Sequence, residues 1–171
     1  MSGINYKILN EYSSLFADLT EDEFKAVSNI VGTKNVDSGH IIIKDGEEGD
    51  QTFLLEDGIV DVYKPLVIVA SKHEFGTKEK SLIRMSGSDH CFFGETALLK
   101  GGPRTATVKT VTSCRLLVIE RKDFNELCNQ YPSIGYKVMK NIAIILTKYL
   151  NKSNEDVIKL TTALSLALSG K

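Results

Sequence analysis

Between Thr33 and Glu120 the sequence breaks into short apolar runs punctuated by glycine, and this pattern restricts the fold more than any other feature of the chain. HIIIK (40–44) is followed by the turn-rich DGEEGD, then by QTFLLE (51–56), Asp57-Gly58 and IVDVYK (59–64). LVIVAS (66–71), SLIRMS (81–86), TATVKTV (105–111) and CRLLVIE (114–120) complete the series. Runs of this length with β-branched residues read as strands, and Asp-Gly between two alternating runs is a hairpin signal. Pro65 lacks an N–H to donate to a ladder, so it implies an edge position or a bulge. KHEFGTKEK (72–80) is polar and contains glycine, and reads as an exposed hairpin tip. Several short strands at near-regular spacing bury their apolar faces by closing on one another, as a sandwich or a roll. The expected fold class is mainly β, a jelly-roll-like β-roll with helices on either side.

The flanks carry a different period. Thr20 followed by Glu23 forms a capping-box pattern, with Phe24, Val27, Ile30 and Val31 on one helical face until the register changes after Gly32. After Arg121, KDFNELCNQ reads as a short helix ended by Tyr131-Pro132. From Ser133 a longer helix carries Ile134, Val138, Ile142, Ile145 and Tyr149 on one stripe. A last helical segment follows, with Val157, Leu160, Leu164 and Leu168. The chain therefore divides into a helical segment 1–32, a roll 33–120 and C-terminal helices 121–171, the latter read as 121–152 and 153–170. Met139, Ala143, Leu146 and Leu150 exceed what one small roll can cover, which favours a homodimer seam along helix 133–152.

Charge and cysteines narrow the function. The chain has 171 residues, 21 basic against 22 acidic, for a formal net charge of −1. That balance lacks the basic footprint of a nucleic-acid binder. Cys91, Cys114 and Cys128 form no C-x-x-C pair, and an odd, scattered set favours reduced thiols. No apolar stretch reaches membrane-spanning length, and no signal-peptide pattern opens the chain. The expectation is a cytoplasmic protein that engages neither membrane nor nucleic acid. His40, His73 and His90 lack metal-ligand spacing, and no clustered His/Glu set supports catalysis. Neither a metal, nor a cofactor, nor an enzymatic activity is expected.

One segment, Phe92 to Val108, carries chemistry: FFGETALLKGGPRTATV. It contains a single helical turn opened by Gly94 and closed by Gly-Gly-Pro-Arg. The start of a helix presents unpaired N–H groups and a positive dipole end, so the segment reads as an anion cradle. Arg104 adds a planar cation matched to two phosphate oxygens. Glu95 would repel a phosphate, so it suits another part of the ligand, such as a sugar hydroxyl. The plain alternative is a surface arginine in a structural ion pair with Glu95.

The segment resembles the phosphate-binding cassette of the cyclic-nucleotide-binding domain family, whose pattern runs Phe-Gly-Glu-Leu-Ala-Leu and then Pro-Arg-Ala/Thr-Ala. Phe93, Gly94, Glu95, Ala97, Leu98, Pro103, Arg104, Thr105 and Ala106 match, with Thr96 where leucine is usual. The cassette spans 93–107, and Gly39, Gly46, Gly49-Asp50 and Gly58 resemble the family's turn glycines. The resemblance implies a sensor for cAMP or cGMP. It implies that Glu95 accepts the ribose 2′-hydroxyl, Arg104 pairs with the cyclic phosphate, and the amides of Ala97 and Ala106 complete the cradle. Thr105 is the family's position for a hydroxyl that reaches guanine. Tyr149 is either seam packing or an aromatic that closes over the base. Signalling through the C-terminal helices to a protein effector is implied as well. Two other functions remain open on the sequence: a ligand-free interaction module of the same fold, and a haem- or gas-responsive relative, for which His90-Cys91 would be the candidate.

Overall fold

The structure is a computed structural model and describes Leu9, residues 12–71 and residues 74–169. Two short helices open it, α1 (Ser13–Phe16) and α2 (Glu21–Ser28). The capping box holds: the Thr20 hydroxyl accepts from the Glu23 amide at 3.4 Å, and the Glu23 carboxylate accepts from the Thr20 amide at 2.7 Å. Phe24 and Val27 are buried as expected, but Ile30 and Val31 leave the helix. Val31 begins β1 opposite Ile119, because a β-branched residue facing a β-branched partner gains more there than on a helix end. The expectation of a helical first thirty residues otherwise falls partly outside the described residues.

Among the described residues, eight antiparallel strands form two four-stranded sheets. They are β1 (Val31–Val36), β2 (Ile41–Ile43), β3 (Gln51–Asp57), β4 (Ile59–Ser71), β5 (Glu74–Ser86), β6 (Phe92–Phe93), β7 (Thr107–Thr110) and β8 (Cys114–Glu120). One sheet has the order β1-β8-β3-β6 and the other β2-β7-β4-β5. The expected hairpin at Asp57-Gly58 is instead a corner between sheets, since β3 pairs with β8 and β6 while β4 pairs with β5 and β7. Thr52 to Leu55 are all buried, so β3 needs a partner on each edge and cover on both faces. Gly58 makes the corner: its φ is +98°, and a Cβ there would come within 2.6 Å of the Cys114 sulfur.

Alternation along β3 and β8 splits the apolar residues between two cores. Phe53, Leu55, Leu116 and Val118 face Ile43, Val60, Phe93 and Val108 inside the roll. Leu54, Leu117 and Ile119 face the helices, where they meet Tyr12, Phe16, Phe24, Phe124, Ile134 and Val138. Of the two alternatives for Pro65, the edge holds, for Pro65 itself stays in register opposite Glu79. Strand β4 shifts register at Val62/Tyr63, and beyond Tyr63 it pairs only with β5, so Pro65 occupies an edge. Residues 74–80, expected in a hairpin tip, are strand paired to β4, with Gly76 opposite Ile68. Residues 72 and 73 lie outside the described residues.

Two helices follow β8: α4 (Arg121–Gln130) and α5 (Pro132–Ser169). Tyr131 leaves the helical region (φ −129°, ψ 79°), as the residue before a proline must, and Pro132 then starts α5 without loss, having no N–H to orphan. The expected division at 152/153 is absent. The polar stretch NKSNED contains neither glycine nor proline, so α5 runs unbroken for 38 residues. Ile134, Val138, Ile142 and Ile145 are buried in the helix-side core, and Asn141 donates to the carbonyls of Leu15 (3.2 Å) and Ala17 (2.9 Å). From Asn151 to Ser169 every residue is exposed. No helix among the described residues is long and apolar enough to cross a membrane.

Candidate functional site

Strand β6 delivers the cassette to the mouth of the roll. Phe92 and Phe93 pair with Leu54 and Phe53, and the Phe53 and Phe93 rings stack at 5.5 Å. Gly94 then turns the chain at φ +77°, and α3 (Thr96–Leu99) follows, anchored by buried Ala97 and Leu98. Glu95 stands at the cap of α3 and makes no capping hydrogen bond, so its carboxylate is not spent on its own helix. Gly101 and Gly102 return the chain with positive φ, and Arg104 precedes β7.

These elements enclose a cavity of about 250 Å³, just under the range of about 300–1,000 Å³ for drug-sized ligands. Phe93, Gly94, Glu95, Thr96, Arg104, Thr105, Ala106 and Tyr149 all line it, so eight of the nine residues singled out from the sequence meet in one place. Ala97 does not: it is buried below, and its N–H donates to the Gly94 carbonyl at 3.0 Å. The floor was missed. Ile43, Val108, Val62 and Ile83 form one row across β2, β7, β4 and β5, each paired with the next. Their inward period was visible in each strand, but the register that aligns them was not.

Arg104 reaches the cavity with its guanidinium held from behind. Nη2 donates to the Gln51 carbonyl at 2.7 Å and Nη1 to the Gly94 carbonyl at 3.4 Å. Glu95 acts on it as a nearby charge and not as a bonded partner, which removes the structural ion pair. Burial pulls the guanidinium's pKa below its ordinary value, and Asp50 and Glu95 pull it back up. It stays a cation, partly stripped of water, with N–H donors left for a ligand. Opposite, Tyr149 of α5, a residue 52% exposed, closes the wall. Burial pushes the pKa of its phenol up, and the field of Glu95 and Cys91 adds to that. His90 packs edge-on against the Tyr12 ring at 5.7 Å, and burial pushes the Cys91 thiol up; neither residue lines the cavity.

A larger hollow of about 490 Å³ opens near Gly32, Val118 and Leu127, but Glu120, Asp123 and Glu126 line it and make it hostile to an anion. The smaller cavity offers the reverse, a cation and a carboxylate on separate walls over an apolar floor.

The fold is a β-roll whose mouth holds a cavity with a cation and a carboxylate over an apolar floor. The chain belongs to the cyclic nucleotide-binding domain family, whose model matches residues 33–131. A cGMP-dependent protein kinase of Caenorhabditis briggsae is 33% identical over 115 residues, covering 67% of this chain and 14% of the kinase. The chain spans less than a third of the length of the curated relatives it matches. A cyclic nucleotide-binding domain from Methylobacillus flagellatus superposes with a TM-score of 0.74 at 19% identity, covering 90% of this chain and 82% of that one. The regulatory domain of Toxoplasma gondii PKA, crystallised with cAMP, superposes with a TM-score of 0.58 at 26% identity, covering 71% and 44%.

Proposed function

We propose that this chain is a regulatory module that binds cAMP or cGMP in the 250 Å³ cavity and reports the ligand through α4 and α5. The observation that carries the reading is the convergence of Glu95, Arg104 and Tyr149, from three elements, on one cavity with an apolar floor. Arg104 pairs with the cyclic phosphate, and its partial desolvation strengthens that contact. Glu95 accepts the ribose 2′-hydroxyl. Phe93 and the Ile43–Val62 row support the sugar and base, Tyr149 covers the base, and Thr105 offers a hydroxyl to guanine. Thr96 and Gly94 shape the entrance. The Ala106 amide serves the phosphate; the Ala97 amide, already donated to Gly94, stabilises the turn.

The partners on this reading are the nucleotide, a second copy along α5, and a protein effector. Met139 and Leu146 pack partly against the chain's own core, so Ala143 and Leu150 carry more of that seam. Three free thiols fit a reducing cytoplasmic setting. Isothermal titration with cAMP and cGMP tests the proposal, with saturable one-to-one binding of at least one as the expected result. Absence of heat with both would make the chain a ligand-free module, and a Soret band in the purified protein would make it a haem-responsive one.

A further inference from the structure

The guanidinium of Arg104 lies in a slot between two glycines. A Cβ built on Gly49 would come within 2.6 Å of Arg104 Cζ and 2.5 Å of Nη2, and one on Gly94 would come within 2.8 Å of Nη1. The same loop that supplies Gly49 grips the arginine's backbone. The Arg104 N–H donates to the Glu47 carbonyl at 2.8 Å, the Gly46 N–H to the Arg104 carbonyl at 2.9 Å, and the Gly49 N–H to the Gly102 carbonyl at 3.3 Å. Glu48 and Pro103 form a bridge between these strands of chain. Segment 46–49 therefore fixes where the arginine's main chain runs, and the bare Cα of Gly49 fixes where its side chain can lie.

Glycine at position 49 is not explained by backbone freedom. Its φ lies outside the left-handed region, unlike those of Gly39, Gly46 and Gly94, so an alanine there meets no torsional strain. What it meets is the guanidinium. A flexible side chain's far end gives way more cheaply than the backbone, so relief comes by lifting the guanidinium off the Gln51 carbonyl. We propose that Gly49 is a positioning residue of the nucleotide site: it touches no ligand, and it sets the place of the phosphate-binding cation by leaving room for it.

This inference rests on the proposed nucleotide reading, and its test separates the two. The variants are Gly49→Ala, Arg104→Ala and the double variant, each titrated with cAMP and cGMP and melted without ligand. Gly49→Ala should keep its melting temperature within a few degrees while losing at least tenfold in affinity. In the Arg104→Ala background the same substitution should change the residual affinity less than twofold, because no guanidinium is left to displace. Wild-type affinity in Gly49→Ala, or an equal loss in both backgrounds, overturns the proposal. If Gly49→Ala fails to fold, the double variant decides: it should fold as well as Arg104→Ala, and failure there overturns the proposal. If wild type binds neither nucleotide, the nucleotide reading fails by itself. The slot is then judged from the Arg104 side-chain Nε–H resonance, which should shift in Gly49→Ala; an unshifted resonance overturns it.

Discussion

Glu23 joins the beginning of the chain to its last helix. Its carboxylate accepts from Lys137 Nζ at 2.7 Å and from the Ser133 hydroxyl at 2.7 Å, both on α5, besides the Thr20 amide. Burial, the largest single influence, favours the neutral acid. The Lys137, Thr20 and Ser133 hydrogen bonds together outweigh it and hold the carboxyl down from 4.5 to about 2. A carboxyl so displaced stabilises the folded state by at most about 3 kcal/mol at neutral pH. Water reaches 14% of the Glu23 side chain and 24% of Lys137, which screens the contribution to about 1–2 kcal/mol. Because the folded value is lowered, the stabilisation is complete above the unfolded value of 4.5 and is lost as pH falls toward about 2. Glu23→Gln keeps an oxygen for the Thr20 amide and removes the charge, and its NH2 takes the place of the oxygen that accepts from the Ser133 hydroxyl, which can then accept in turn. Thermal unfolding followed by circular dichroism should show the variant melting about 3–6 °C lower at pH 7. At pH 3 the gap should shrink to less than half, since below 4.5 the unfolded chain takes up a proton that the folded carboxyl, held at about 2, still refuses. A gap that stays constant from pH 7 to pH 3, or no gap at pH 7, would refute the assignment of this stability to the Glu23 charge.

Arg104→Ala should lower nucleotide affinity about one hundredfold or more in calorimetry, since charged hydrogen bonds contribute about 1.5–3 kcal/mol each, and it should leave the melting temperature within a few degrees. Glu95→Gln should weaken binding less and should shrink the difference between ribo and 2′-deoxy ligands; equal ribo and deoxy affinities in wild type would remove Glu95 from the ligand. Thr105→Ala should cost cGMP up to about tenfold and cAMP less, as one neutral hydrogen bond contributes about 0.5–1.5 kcal/mol. Tyr149→Ala should weaken both nucleotides alike, and unchanged affinity would end its role as a cover. Truncation at residue 132 is not a test of that cover, because Ile134, Val138 and Ile142 belong to the core.

The roll was legible because its turns announce themselves in glycine, and the cassette because phosphate chemistry demands particular residues at a particular spacing. The Asp57-Gly58 turn shows where local reading ends. Its residues specify a tight reversal, while the partners of β3 and β4 follow from which faces must be covered, a property of the whole sheet. The unbroken α5 was hidden for a related reason: a polar stretch reads as a break, although helix continuation needs only the absence of a breaker. Tyr149 reached the cavity as one of two open readings, whereas Ile83 and Val62 reached it through register alone. Asn141 and the Glu23–Lys137 pair link segments more than a hundred residues apart, and no local signal marks such partners.

Helix α5 has a mechanical consequence. At about 1.5 Å per residue its 38 residues make a rod of about 57 Å, of which the first third is embedded in the helix-side core and the last half stands clear. A rotation of about 10° at the Tyr131-Pro132 joint would sweep the far end through about 10 Å while moving Tyr149 by less than half as much. The embedded part cannot turn alone, since Asn141 carries α1 with it and Lys137 carries α2. Under such a rotation the rod and the N-terminal helices would pivot as one piece, and a displacement of Tyr149 at the cavity wall would arrive at Leu168 about doubled.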